Sequence, residues 1–444
     1  MTPENKNSKG CRIRAKEEAC ANPPWHGGFV LDNTSAFIYN KSMKKHYIKR
    51  AAERRLLKFM KQFPVIALSG PRQAGKTTML KQFLSKTHNF VSLDDLDNRA
   101  RSLDDPKMFM TEIKTPCVID EIQYAPKLLS YIKLAVDNDR KPASFILTGS
   151  QQFLLMKGLS ETLAGRVGIM NLYPFNSIEA GLVKKFSSKK IFEKAALKGL
   201  YPEVFTAKNI DSSLWYESYI KTYIERDVKI IYNIGSLGDF NIILKMLASR
   251  AAQLLNISAL SADSGIPAAT IKRWISILEA SGIIRLLRPF YARITKRLVK
   301  MPKVYFLDTG LLCALLKIGS NKLLYSGAFL GAVFENFCVS ETIKILSVEG
   351  REDNLFFLRT NKGVEVDLMI ENSSGFTLAE FKAGMSLNNH AVDNIVKIKK
   401  GFKNLKFDKS FVVSLNDRCY NYRDNVGACG AAGFLKTLCR PSIS

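Results

Sequence analysis

The chain has 444 residues, 46% hydrophobic and 10% aromatic, ample for real cores and for roughly two to four domains. No run approaches the roughly 18 apolar residues of a membrane span, and the start carries no apolar signal-peptide core, so a cytoplasmic protein is expected. The net charge of +26, from 66 Lys+Arg against 40 Asp+Glu, favours a polyanionic partner, nucleic acid before a membrane surface, although a lysine-rich genome gives the same number. The eight cysteines form no C-x-x-C pair, which points to reduced thiols and no zinc site.

Residues 1–43 are rich in Gly, Asn, Pro and Ser and hold no period, so a disordered tail is expected, with Met43 a second candidate start. From Lys44 to Lys61, Lys49, Arg50, Arg54, Arg55 and Lys58 surround Leu56, Leu57, Met60 and Phe63, an amphipathic cationic helix. Val65 to Leu68 is an apolar run of strand length, and Gly70-Pro71-Arg72-Gln73-Ala74-Gly75-Lys76-Thr77 then fits G-x-x-x-x-G-K-[ST] before the helical spacing of Thr77–Leu84. Strand, glycine loop and helix together turn backbone amides toward an anion at a helix N-terminus. Lys76 is expected on the β- and γ-phosphates of a nucleoside triphosphate, ATP first, and Thr77, followed by Thr78, on Mg²⁺.

Strand and helix signals alternate through residue 180: strands at 89–95, 117–121, 144–148 and 167–172, helices at 125–139 and 153–163, and a polar helix through Met110. That pattern predicts an α/β fold, a doubly wound parallel sheet with the nucleotide at the strands' carboxyl ends. Asp120 closes an apolar strand and suits the Mg²⁺ shell; Glu121 would orient and deprotonate water; Thr148 and Ser150 can sense the γ-phosphate.

Residues 181–240 form a helical connector. Within 241–300, the stretch 257–291 reads as helix, Gly265 break, longer helix from Pro267 to Gly282, and strand. Ile271, Trp274, Ile275 and Leu278 share one helix face, while Lys272 and Arg273 point elsewhere. This is a winged-helix pattern that would offer Thr270, Lys272 and Arg273 to DNA, or serve as a packing lid. Arg285, Arg288, Arg293, Lys296, Arg297, Lys300 and Lys303 follow as a basic run without an acid. Further on, Val364–Ile370 alternates, with Glu365, Asp367 and Met369 on one face. A turn centred between Ser373 and Ser374 sets Asp367 opposite Glu380 and Glu365 opposite Lys382. Opposed carboxylates destabilise a sheet unless a cation such as Mg²⁺ joins them. Beyond Asn388, Lys397, Lys399, Lys400, Lys403, Lys406 and Lys409 add a basic surface, and 416–444 loses pattern, an irregular tail.

The segments GPRQAGKTT, VSLDD, IDEIQ, LTGSQQF, LAGR, YPFNSIE, GLYPEV, YIKTYIERDV, KRLVKMPKVYFLDTGL, GAVFENF and EVDLMI resemble the prokaryotic AAA-type (AAA+/STAND-like) ATPases with a C-terminal domain of unknown function, over about 47 to 415. The resemblance implies a P-loop domain over 44–180. It makes Arg166 a candidate charge-stabilising arginine near the γ-phosphate, or else half of a structural salt bridge. Residues 301–415 resemble the PD-(D/E)XK nuclease core, a restriction-endonuclease-like α/β domain. That resemblance puts metal on Glu335, Asp367 and Glu380, with Lys382 positioning water; the other reading keeps the fold for binding without cleavage. DNA is the expected partner, and a protein partner and self-association stay open.

Overall fold

The computed structural model describes residues 47–149, 162–224, 236–290, 301–360, 363–385 and 389–439. Ser150, most of the expected helix at 153–163, Glu225-Arg226-Asp227 of the YIKTYIERDV segment and the basic residues Arg293 to Lys300 lie outside the described residues.

The first sheet is built around β1 (Val65–Ser69), in the order β2 (Asn89–Ser92), β3 (Cys117–Asp120), β4 (Phe145–Thr148), β1, β5 (Val167–Asn171). All four pairings are parallel. Every residue of β1 is buried, because helices cover both faces. Val65 and Ala67 pack toward the Leu128–Asn138 helix, while Ile66 and Leu68 pack toward α1 (Ala52–Met60) and α2 (Lys76–Leu84). The expected cationic helix is therefore shorter than read, and Arg50, just ahead of it, is 4% exposed rather than solvated. The polar helix through Met110 is two helices, Leu96–Asp104 and Pro106–Glu112, because Asp105 caps the second through the Met108 amide.

The connector brings α3 (Ser188–Leu197) and α4 (Ser212–Tyr219), followed by α5 (Leu237–Ser249), α6 (Ile257–Ser264) and α7 (Ala268–Ala280). In α7, Ile271, Trp274, Ile275 and Leu278 are buried while Lys272 and Arg273 are exposed, as the spacing predicts. The strand that follows, β6 (Ile284–Pro289), does not end a separate module. It pairs antiparallel with β7 (Lys303–Phe306) and parallel with β8 (Leu355–Arg359). One eight-stranded sheet thus crosses the expected boundary at 300, in the order β12-β13-β11-β10-β9-β8-β6-β7. Its remaining strands are β9 (Glu365–Asn372), β10 (Gly375–Lys382), β11 (Phe407–Ser414), β12 (Tyr420–Asn421) and β13 (Gly427–Gly430). On one side lies α8 (Leu330–Ser347), apolar around most of its girth and therefore a core helix. On the other lies α9 (Asn389–Gly401), with Ala391, Val392 and Ile395 against Val366, Met369 and Leu378.

The expected irregular tail is folded. After β12 and β13 comes α10 (Ala431–Leu438), whose Phe434 and Leu435 are fully buried in the main core. Asp417 accepts from the Ser188 amide at 3.1 Å and so joins this segment to the start of α3.

The two sheets are spliced by the stretch Tyr173–Glu179. Lys344 on α8 donates to the Phe175 carbonyl at 3.0 Å, and Glu341 accepts from the Ser177 amide. Arg55 on α1 reaches the Ser347 carbonyl at the end of α8. Among the described residues no helix is long and apolar enough to cross a membrane.

Candidate nucleotide site and acidic cluster

The loop Gly70–Gly75 leaves β1 at the carboxyl end of the parallel sheet and enters α2. Gly70 has φ +143°, and a Cβ there would stand 2.1 Å from the Leu172 carbonyl oxygen, so only glycine lets the loop lie this close. Gly75, with φ +90°, precedes the first turn of α2 in the left-handed region that glycine adopts without strain. Lys76 is buried and its Nζ donates to the Gly70 and Pro71 carbonyls at 2.9 and 3.0 Å, curling back over the cradle that a phosphate would fill. Thr77 Oγ1 donates to Asp120 Oδ2 at 2.9 Å, and Thr148 Oγ1 donates to the same carboxylate. Asp120 is buried, and among the described residues no ion pair neutralises it. A hydroxyl and an uncompensated carboxylate beside a phosphate cradle are the donor set of a Mg²⁺–triphosphate, so the residues present fit both groups.

Glu121 follows Asp120 in the left-handed region (φ 57°), and its carboxylate accepts from the Gln123 side chain. Asp94, in the VSLDD segment, belongs to the same neighbourhood. Partial burial and the charges of Glu121 and Asp120 raise its pKa, against Arg99 and Arg72. Sequence reasoning gave Asp94 no role; its place after β2, the strand beside β3, was the available signal.

Arg50 is a second residue the sequence reading misplaced. Its guanidinium donates to the Ala74 carbonyl at 2.8 Å and the Tyr173 carbonyl at 2.6 Å, pairs with Glu179 at 3.3 Å, and lies over the Phe175 ring. It therefore holds the phosphate loop from behind. From the connector, Tyr219 donates to the Arg72 carbonyl at 3.3 Å, and a Cβ on Gly282 would meet Pro71 at 3.0 Å. Arg166 is at the wrong end. The Val65 amide donates to its carbonyl at the amino ends of β1 and β5, about a strand length (roughly 16 Å) from the loop. Its side chain pairs with Asp137 at 3.0 Å, so the salt-bridge reading is the one that forms.

In the second sheet the expected register is observed: Gly375 pairs with Asn372 and Ala379 with Leu368 along β9–β10. The face reading needs one correction. The β8–β9 pairing slips between Phe356 and Leu358, a bulge beside Asp367. Met369 consequently packs with Val366 toward α9, whereas Asp367 meets Lys303 and the Phe381 amide, at 3.4 and 2.9 Å.

Glu335, Glu365 and Asp367 do gather, but around an amine. Lys303, 3% exposed, has its Nζ 2.9 Å from Glu335 and in contact with Glu365 as well as Asp367. Tyr305 donates to Glu335 at 2.7 Å, and Lys382 donates to Glu380 at 2.9 Å. Burial, then the nearby Asp367 carboxylate, raises the pKa of both Glu335 and Glu380. Among the described residues no group of three or more His, Cys, Asp or Glu is arranged to hold a metal ion. Lys303 thus supplies positive charge where the sequence reading expected a nuclease metal, while Glu380 Oε2 is buried without a hydrogen-bond partner. The sequence reading had counted Lys303 in the exposed basic run. Arg285, from the same run, pairs with Asp353, and Arg288 is exposed.

Residues 62–180 match the family described as "AAA domain", 189–322 a "Domain of unknown function (DUF8612)", and 330–432 a "Domain of unknown function (DUF4143)". The uncharacterized protein Rv2008c of Mycobacterium tuberculosis is 32% identical over 327 residues, 73% of this chain and 71% of its own. The chain belongs to that family. The uncharacterized protein MJ1544 of Methanocaldococcus jannaschii is 24% identical over 381 residues, 79% of this chain and 81% of its own. Among solved structures, the Walker-type ATPase PabY2304 of Pyrococcus abyssi covers 62% of this chain and 98% of its own at 15% identity and a TM-score of 0.38. The match over 62–180 makes the N-terminal sheet an AAA-type P-loop domain.

Proposed function

We propose that the protein is a Mg²⁺-dependent ATPase whose nucleotide state is passed to a DNA-binding C-terminal half that does not itself cut. The observation that carries this reading is the Thr77–Asp120–Thr148 network beside the loop of Gly70 to Gly75, with no cation on the carboxylate among the described residues. Lys76 would exchange its two carbonyls for β- and γ-phosphate oxygens, and loop amides at the N-terminus of α2 would hold the phosphates. Mg²⁺, held by Thr77 and Asp120, would draw charge from those oxygens. Glu121 orients the attacking water and takes its proton. Phosphate release by the wild type, Lys76→Ala and Glu121→Gln tests the reading: wild-type turnover in either variant ends it.

The non-cutting half of the proposal rests on Lys303 among the acids. Metal-dependent nicking of plasmid that disappears in Asp367→Ala would restore the nuclease reading. DNA contact is supported by the exposed Lys272 and Arg273 on α7 and the exposed Lys397, Lys400, Lys403, Lys406 and Lys409. Binding should weaken steeply with salt, and a flat salt dependence would count against it.

A further inference from the structure

The last hairpin carries two cysteines that neither site uses. Along β12 and β13, Tyr420 faces Ala428 and Asn421 faces Gly427, which sets Cys419 opposite Cys429 one step further on. The Tyr422 amide donates to the Val426 carbonyl at 2.7 Å, so that pair is hydrogen-bonded. Alternation makes Cys419 and Cys429 a non-hydrogen-bonded pair, with Cα atoms about 4.5 Å apart and side chains at their closest. Disulfides span Cα separations of about 4.4–6.8 Å. A second geometry agrees. A Cβ built on Gly433 of α10 would stand 3.5 Å from Cys429 Cβ and 3.7 Å from Cys419 Sγ, so both side chains converge on one point. The two thiols are free, Cys419 exposed and Cys429 buried, and both line a cavity of about 350 Å³ shared with Phe411, Tyr420 and Thr437.

We propose that Cys419 and Cys429 are a thiol–disulfide exchange site that forms a reversible cross-strand bond with a low-molecular-weight disulfide as oxidant. The Cys419 thiolate attacks one sulfur of the small disulfide, which releases a first thiolate and leaves a mixed disulfide. Cys429 then loses its proton and attacks the Cys419 sulfur, expelling the second small thiolate. Two protein thiols are oxidised, one small disulfide is reduced to two thiols, and the two protons go to the departing sulfurs. Burial pushes the Cys429 thiol up to about 12, so the second step is the slow one and the mixed disulfide accumulates first. Closure pins the edge strand β12 onto β13.

The full chain, incubated with oxidised and reduced glutathione in graded ratios, is digested with trypsin under non-reducing conditions. Cleavage after Arg418, Arg423 and Lys436 separates the two cysteines, so the bond appears as peptide 419–423 joined to 424–436. The expected result is a Cys419 adduct that gives way to this joined pair as the ratio rises, fully reversed by reductant. Cys429→Ser should trap the adduct, and Cys419→Ser should give no joined pair. Wild-type protein in which Cys419 stays unmodified, holds its adduct at every ratio, or joins Cys439 instead overturns the proposal. The wild-type map decides alone if Cys429→Ser does not fold.

Discussion

The two sheets set carboxylates at a site in opposite ways. In the parallel sheet, Asp120 is held by two hydroxyls and by no cation among the described residues, beside a loop shaped for anions. In the mixed sheet, Glu335, Glu365 and Asp367 share one buried ammonium. On the proposed function, a divalent cation and a triphosphate together would complete the first arrangement. The second already holds cations as folded, Lys303 among the three acids and Arg359 on Glu365 at 2.9 Å. Grouped acids therefore say little by themselves, and the cation already among them decides whether a metal has anything to add.

The contrast can be broken first at Lys303. Lys303→Met leaves Glu335 and Asp367 without their buried cation, Glu365 keeping only Arg359, with an expected stability loss of about 3–5 kcal/mol in urea unfolding. Mg²⁺ or Mn²⁺ should return part of that loss in the variant and add nothing at this site in the wild type. Equal stabilisation of both proteins would mean the lysine is not the compensating charge.

At the other sheet, Lys76→Ala should lower the rate of phosphate release by ~10²–10³, about 3–4 kcal/mol, while Asp367→Ala leaves it within a few-fold. Next comes Arg50→Met, which removes charge-assisted hydrogen bonds to the Ala74 and Tyr173 carbonyls. We expect KM for ATP to rise about tenfold, with kcat changed less. A lower kcat at unchanged KM would refute its role as a brace for the loop.

The acid-rich cluster also predicts a pH response. Glu380 is raised from 4.5 to about 8, first by burial and then by Asp367, so the native state keeps a proton that the unfolded chain has released. Stability from this group is full below 4.5 and is lost as pH climbs toward about 8, by up to about 1.4 kcal/mol per pH unit. Glu380→Gln should flatten that fall; an unchanged slope would assign it elsewhere. The smallest effect is expected from Asp417→Ala, about 1 kcal/mol, because it removes the acceptor for the Ser188 amide.

What was legible in the sequence was local. Strand, glycine loop and helix are contiguous from Val65 to Leu84, and the β9–β10 register follows from a turn of a few residues. What was missed depends on distance along the chain or on strands too short to show a period. Lys303 meets Asp367 only because β6 and β7 add to the sheet that carries β9, and a basic run looks solvated until it does. Arg50 read as one cation among several on a helix, yet its partners lie at Ala74 and Tyr173. The bulge beside Asp367 leaves no mark in an alternating pattern. β12 spans only Tyr420–Asn421, below what periodicity can register.

The grip on residues 173–179 has a mechanical meaning. Arg50 fastens one margin of that ribbon to the phosphate loop, and Glu341 with Lys344 fastens the other to the helix that bears Glu335. The two halves are consequently not beads on a slack string. If the nucleotide state shifts the phosphate loop, this ribbon is the direct contact through which the shift would reach the second sheet.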